Sequence, residues 1–272
     1  MREESYKGIK HVVPPNALVR ICVDRLADHY VKDLQIQRGE NLEKAREISE
    51  REGIGIVFAG NHLSNADYTV LIRALRMSGF ADPYADTVAI LGIRLYGNLP
   101  SRIGSRVAPH IKVFPPTETP KSEKEEKAAR KMNLNALRAQ KKILENGMNT
   151  LVFPQGGREP GEITRIPPSQ ISGFFEYGVV LPLGLVTDKI LPKGKIIPVQ
   201  ASASITFGGP FLGKDLRIKF ADLSREERRV AMLAHVMIEI AKCLPLEYRG
   251  IYGQAVKEKE LIAEEALISA RR

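Results

Sequence analysis

The chain has 272 residues, 43% of them hydrophobic and 27% charged, which excludes a disordered tail, a collagen-like fibre and a coiled coil. That length suits one large domain or two modest ones, long enough to bury roughly three quarters of the surface an unfolded chain exposes. Lys plus Arg outnumber Asp plus Glu by 41 to 32, a net charge of +9, and residues 61–150 hold most of it, with fourteen basic side chains against eight acidic.

Residues 15–52 read as helical. Leu18, Ile21, Cys22, Arg25 and Leu26 recur at helical spacing, Asn41 to Glu47 form a polar helix, and Gly53 ends the segment. Ile54 to Ala59 is an apolar run suited to a buried strand. Asn61 to Ala66 make a polar turn, and Tyr68 to Met77 resume a helical period closed by Ser78 and Gly79. Thr87 to Leu91 and Ile111 to Phe114 are further strands, and Pro120 to Glu126 an exposed charged loop. Ala128 to Leu144 is an amphipathic helix capped by Gly147. Thr150 to Phe153, Val179 to Leu185, Ile196 to Thr206 and Leu216 to Phe220 read as later strands. Ser224 with Glu227 starts a capped helix to about Leu244, whose apolar face is assigned to the core, and Ala255 to Arg272 a charged terminal one. Strands alternating with helices predict an α/β fold: a mixed, mostly parallel central sheet flanked by helices. The expected division is an N-terminal helical segment, residues 1–52, before an α/β domain with C-terminal helices, residues 53–272.

A basic middle attracts an anionic partner: a phosphorylated substrate, an acidic carrier protein, a membrane surface or nucleic acid. Nucleic acid is the least supported, because aromatics are 6% with no Trp and no zinc spacing occurs. Arg94, Arg102, Arg106, His110 and Lys112, interleaved with Ile93, Leu95, Tyr96, Leu99 and Ile103, read either as a basic face for a carrier or membrane or as a connector. No apolar stretch reaches the length of a transmembrane helix. Cys22 and Cys243 have no metal-ligand spacing, so no metal is expected and a reducing compartment is the default. The expectation is a cytoplasmic protein, or a stromal one after removal of a transit peptide, peripheral to a membrane at most.

In an α/β sheet, chemistry gathers in loops after the carboxyl ends of strands. Two such loops stand out. In the first, His62 follows a strand and Asp67 opens a helix five residues on. Asp67 reaching back to Nδ1 would leave Nε2 free as a general base. The alternative is a turn histidine, with Asp67 complementing the helix end. In the second, Phe153-Pro-Gln-Gly-Gly-Arg158, Gly156 and Gly157 let backbone amides approach an anion, and Arg158 adds a fork matched to phosphate. The alternative is a tight turn with a solvated arginine. A base and a phosphate-binding arginine on one sheet edge suggest deprotonation of a phosphorylated alcohol. No nucleophile is evident, since Ser64 lacks a nucleophile elbow and neither cysteine lies near.

Together these blocks resemble the glycerophosphate acyltransferase superfamily. Its first block, Asn-His-x-x-x-x-Asp, is matched by Asn61, His62 and Asp67. Its third is similar to Phe153-Pro-Gln-Gly-Gly-Arg158, and its fourth to Val179-Val-Leu-Pro182-Leu. The Gly-Gly-Arg-acid form and Thr187 to Pro192 look like the soluble, plastid-type glycerol-3-phosphate acyltransferases. The resemblance covers about residues 53–210. It implies transfer of a fatty acyl group from acyl-CoA or acyl carrier protein to glycerol-3-phosphate, with no cofactor beyond that co-substrate. It makes His62 the base, Asp67 its orienter and backbone amides near the first block the oxyanion donors. It also implies that Arg158, Gly156, Gly157, Ser64 and Lys112 or Lys121 bind the phosphorylated glycerol. Gln155 and Gly157 depart from the family's Glu and Thr, and no second-block arginine aligns. Those departures leave open lysophosphatidate or another lipid as acceptor, and a lipid-binding module without catalysis.

Overall fold

The computed structural model describes residues 9–96, 105–115, 118–158, 161–164, 169–190 and 198–258. In chain order these form β1 (Val12–Val13), α1 (Ala17–Tyr30), β2 (Val31–Gln37), α2 (Gly39–Glu52), β3 (Ile56–Gly60), α3 (Asp67–Met77), α4 (Pro83–Asp86), β4 (Thr87–Gly92) and β5 (His110–Val113). There follow α5 (Glu123–Glu145), β6 (Asn149–Val152), β7 (Val179–Val186), β8 (Ala201–Phe207), β9 (Phe211–Leu212), α6 (Gly213–Lys219) and α7 (Arg225–Lys242). All the strands join one sheet in the order β1-β5-β4-β6-β3-β7-β8-β2, with β9 beside β7. The pairs β4–β5, β4–β6, β3–β6, β3–β7 and β2–β8 are parallel, whereas β1–β5, β7–β8 and β7–β9 are antiparallel. The sheet is mixed and mostly parallel, with helices on both faces, as expected.

The pleat sorts the core into two layers. Val57 and Ala59 of β3 face α5 and α7 with Ile143, Val236 and Ile240. Their neighbours Ile56 and Phe58 face α2, α3 and α4 with Leu42, Leu71 and Tyr84. A strand buried on both sides needs such a continuous apolar run. Pro182 stands in the middle of β7 without an N–H to donate. Leu183 pairs with Phe207 of β8 and Val180 with Phe211 of β9, so Pro182 faces the gap between them, where its carbonyl accepts from the Gly208 amide at 2.8 Å. Gly184 lets the end of α7 approach, since a Cβ there would meet the Cys243 carbonyl oxygen at 2.3 Å.

Three expectations are corrected. Residues 31–37, read as helical, form β2 on the sheet edge beside β8. The sequence there, Val-Lys-Asp-Leu-Gln-Ile-Gln, alternates only at its end, and an edge strand needs no buried run. Leu216 to Phe220, read as a strand, belongs to α6: Leu216 is buried while Ile218 is 68% exposed, although alternation would bury both. Glu123 to Glu126, assigned to a loop, begin α5 behind the Ser122 N-cap, their carboxylates complementing its positive end. Residues 259–272 of the expected terminal helix, and 196–197 of the expected strand before β8, lie outside the described residues.

The apolar stripe of α1 recurs as the sequence suggests, but it faces outward. Leu18, Ile21 and Leu26 are exposed, and α1 buries no residue. Polar contacts on the other face attach the helix. Arg20 pairs with Asp82 at 2.8 Å, Arg76 pairs with Asp24 at 2.8 Å, and the Tyr84 hydroxyl donates to Asp24. The apolar face of α7 does pack in the core, through Met232, Leu233, Val236 and Met237. Among the described residues no helix is long and apolar enough to cross a membrane.

Candidate active site

β3 ends at Gly60, where a Cβ would meet Leu183 Cδ1 at 2.5 Å and push that side chain aside. The chain then leaves the sheet, and the Asn61 side chain replaces the lost ladder. Its Nδ2 donates to the Leu185 carbonyl at 2.9 Å, and its Oδ1 accepts from the Leu185 amide at 2.7 Å. With Asn61 fully buried and tied both ways, the next residue is aimed off the carboxyl edge of the sheet. That residue is His62.

Asp67 is the first residue of α3 and is completely buried. Its Oδ2 accepts from His62 Nδ1 at 2.7 Å and from the amides of Leu63 at 2.8 Å and Ser64 at 3.1 Å. Its Oδ1 accepts from the Thr187 hydroxyl and stands 3.3 Å from Ser64 Oγ. Ser64 Oγ has one proton and lies 3.0 Å from Thr187 Oγ1, while accepting from the Ala66 amide at 3.0 Å. The consistent assignment is a relay in which Ser64 donates to Thr187 and Thr187 donates to Asp67. A carboxylate surrounded only by donors is satisfied in its ionised form, at the positive end of a helix. It obliges Nδ1 of His62 to carry the proton.

Nε2 of His62 is then the unprotonated nitrogen, and it makes no hydrogen bond among the described residues. The side chain is 22% exposed, so the imidazole is reachable from solvent. Two neighbours fix the ring and its backbone. Phe153 stacks on the imidazole with centroids 4.2 Å apart and planes 9° from parallel. The buried Gln155 side chain accepts from the His62 amide at 3.2 Å. Beyond Thr187, Tyr248 donates to Asp188 at 3.2 Å, and burial followed by the Asp188 charge pushes that phenol up, so it remains a donor.

The sequence-derived residues divide around this pair. Gly156, Gly157 and Arg158 follow β6, which lies beside β3, so that loop borders His62. Gly156 has a φ of 69°, and its amide closes the turn onto the Phe153 carbonyl at 3.1 Å, so it is not free for an anion as expected. Arg158 is exposed. Ser64, expected to meet substrate, is 1% exposed and holds Asp67 instead. Lys112 lies in β5, three strands from β3 and thus about 14 Å along the sheet. Its Nζ sits over the Tyr96 ring, 3.9 Å from the centroid. Lys121 is exposed beside the start of α5, its amide donating to Glu125 at 2.6 Å.

The amides expected to form an oxyanion site are mostly committed. His62 N serves Gln155, Leu63 N and Ser64 N serve Asp67, and Ala66 N serves Ser64. The Asn65 amide remains without a protein acceptor among the described residues. In the interleaved basic stretch, residues 97–104 lie outside the described residues, and with them Leu99, Arg102 and Ile103. His110 is fully buried, with Nδ1 donating to the Ala108 carbonyl at 3.0 Å and Nε2 accepting from Tyr96. Burial lowers its proton affinity, so it adds no charge to a basic face. Among the described residues no three His, Cys, Asp or Glu side chains group to hold a metal ion.

Thr187, Phe153 and Gln155 escaped assignment as working residues. The signal for Thr187 was available: it follows directly on the strand paired with β3. No protein-family model matches the chain, and no curated protein does. Among solved structures, the chain is similar to the 1-acyl-sn-glycerophosphate (LPA) acyltransferase PlsC from Thermotoga maritima. The identity is 20% over 82% of this chain and 77% of that chain, with a TM-score of 0.49.

Proposed function

We propose that this chain is an O-acyltransferase that moves a fatty acyl group from an acyl thioester to the hydroxyl of a phosphorylated glycerol, glycerol-3-phosphate in the first instance. The observation that carries the reading is the His62–Asp67 pair, a solvent-reaching imidazole whose Nδ1 is bound at 2.7 Å to a fully buried carboxylate. The ordered likeness of residues 61–67, 153–158 and 179–183 to the glycerophosphate acyltransferases adds to it.

In this reading Nε2 takes the hydroxyl proton of glycerol-3-phosphate as the oxygen attacks the thioester carbonyl. The Asp67 charge stabilises the imidazolium that forms, and a positioned general base of this kind contributes of the order of 10²–10⁴ in rate. The tetrahedral intermediate collapses with cleavage of the C–S bond. The leaving thiolate takes the proton from Nε2, giving the ester and the free thiol of coenzyme A or acyl carrier protein. Arg158 holds the acceptor phosphate, with Lys112 or Lys121 as a second cation. The Asn65 amide is the candidate oxyanion donor of the first loop. No step calls for a metal or bound cofactor.

The test is transfer from acyl-CoA and from acyl carrier protein to labelled glycerol-3-phosphate, with His62→Ala alongside. The expected result is product with wild type and at least a hundredfold loss in the variant. Equal product from both proteins would overturn the mechanism. Product with lysophosphatidate alone would move the acceptor to the acylated glycerophosphate, and acyl-thioester binding with no turnover of either acceptor would make the chain a lipid-binding module.

A further inference from the structure

A basic concavity lies away from His62. A cavity of about 340 Å³ between α6 and α7 is lined by Arg217, Arg225, Arg228 and Arg229, with Glu176 as its sole carboxylate. Glu176 precedes β7, and α7 begins here and runs with that strand, so the cavity sits at the amino-terminal edge of the parallel strands. His62 leaves the opposite edge. The eight residues of β7 separate the two by about 25 Å.

The four arginines differ in what they already do. Arg228 donates to the carbonyls of Phe220, Ala221 and Leu223 at 3.0–3.2 Å and so closes the corner between α6 and α7. Arg229 stands 3.4 Å from Glu226. Arg217 and Arg225 are exposed and have no hydrogen bond or ion pair among the described residues. Glu176 pairs with none of the four. The lining thus carries a surplus of three positive charges in a space of the size that holds small ligands. Like charges facing one cavity repel, and a bound anion relieves that repulsion. Guanidinium forks match the paired oxygens of a phosphate.

We propose that this cavity binds a phosphate-bearing anion, with Arg217 and Arg225 as its free donors and Arg228 and Arg229 as a restrained back wall. The site is independent of the acyl-transfer reading and is tested without an activity assay. α6 and α7 also expose Ile218 and Val230, so the phosphate has two possible sources, a dissolved ligand or a lipid headgroup.

The experiment titrates the full chain with inorganic pyrophosphate by calorimetry and sediments it with phosphatidylcholine vesicles containing or lacking phosphatidic acid. Arg217→Ala/Arg225→Ala is compared with Lys127→Ala/Arg130→Ala, which removes the same charge from exposed positions on α5. The mutated cavity residues make no hydrogen bond or ion pair among the described residues, and thermal melts check that both variants are folded. At least about tenfold weaker binding in the first variant, and no more than about twofold in the second, is expected. Glu176→Gln should tighten binding severalfold. Loss confined to pyrophosphate identifies a dissolved ligand, and loss confined to phosphatidic acid vesicles identifies a headgroup; either supports the site. Absence of binding to both probes, or equal weakening in the two variants, overturns it.

Discussion

Replacing Asp67 by Asn separates the charge of this carboxylate from its role in orienting the imidazole. Three donors converge on Oδ2: His62 Nδ1, the Leu63 amide and the Ser64 amide. An amide nitrogen there would face all three, so the amide oxygen must take that position. The new NH₂ then points to Thr187, whose hydroxyl can accept it and turn its own proton toward Ser64, 3.0 Å away. Nδ1 keeps its proton and its acceptor, and Nε2 stays a base. What is lost is charge. A hydrogen bond to a charged group contributes about 1.5–3 kcal/mol against about 0.5–1.5 for a neutral one, a difference of roughly 1–2 kcal/mol. At about 1.4 kcal/mol per tenfold, the expected fall in kcat is roughly five- to thirtyfold. A flipped amide would put the proton on Nε2 and cost about 10⁴, as when an orienting carboxylate becomes an amide that selects the wrong tautomer. The assay is steady-state acyl transfer for Asp67→Asn beside His62→Ala, with circular dichroism confirming the fold. If the two variants were equally inactive while folded, the donor-convergence reasoning would be refuted.

Thr187→Val removes a fully buried donor to Asp67 and leaves Ser64 to turn its proton to Asp67 Oδ1, 3.3 Å away. A loss of about 1.5–3 kcal/mol should lower Tm by about 5 °C in a domain of this size and reduce kcat by roughly tenfold, whereas Thr187→Ser should recover most of both. The two cysteines should react differently. Cys22 is exposed, while burial pushes the Cys243 thiol up to about 12, so a thiol reagent at pH 8 should label one site in the native chain and two in denaturant. Because the folded chain holds the Cys243 proton more tightly than the unfolded one, that thiol contributes stability that is fully present below about pH 9. It is lost as pH rises toward about 12, visible as a falling urea midpoint at alkaline pH.

Where one face of an element met the core and its sequence repeated that pattern, the element was legible from sequence. β3, β7 and α5 are long apolar or amphipathic runs, and the capping box of Ser224 and Glu227 marked the start of α7. The exceptions have a common cause. β2 lies on an edge and needs few apolar residues, and the alternating Leu216, Arg217, Ile218 of α6 imitates a strand over too few residues to arbitrate. For α1, periodicity revealed the helix but not its side, because ion pairs from Arg20 and Asp24 turn the polar face inward. At the site, the spacing of His62 and Asp67 predicted their contact, since both ends belong to one turn. The roles of Thr187 and Gln155 depend on strands distant in sequence, and spacing cannot reveal which of two nearby hydroxyls faces inward. Ser64 was assigned to substrate for that reason, although it supports Asp67.

The imidazole and its carboxylate belong to a single turn, braced by one side chain from the end of β7 and one from the loop after β6. Arg158 and Lys112 stand on separate loops and strands and take no part in that bracing. Such a layout is modular. Insertions or exchanges beyond Arg158, or after β5, can remodel what the edge of the sheet embraces while the His62–Asp67 pair keeps its geometry. Under the proposed acyl transfer, selection for a different alcohol would act on those loops, and a library randomised there, with residues 60–67, 155 and 187 held constant, would sample new acceptors around an unchanged His62–Asp67 pair.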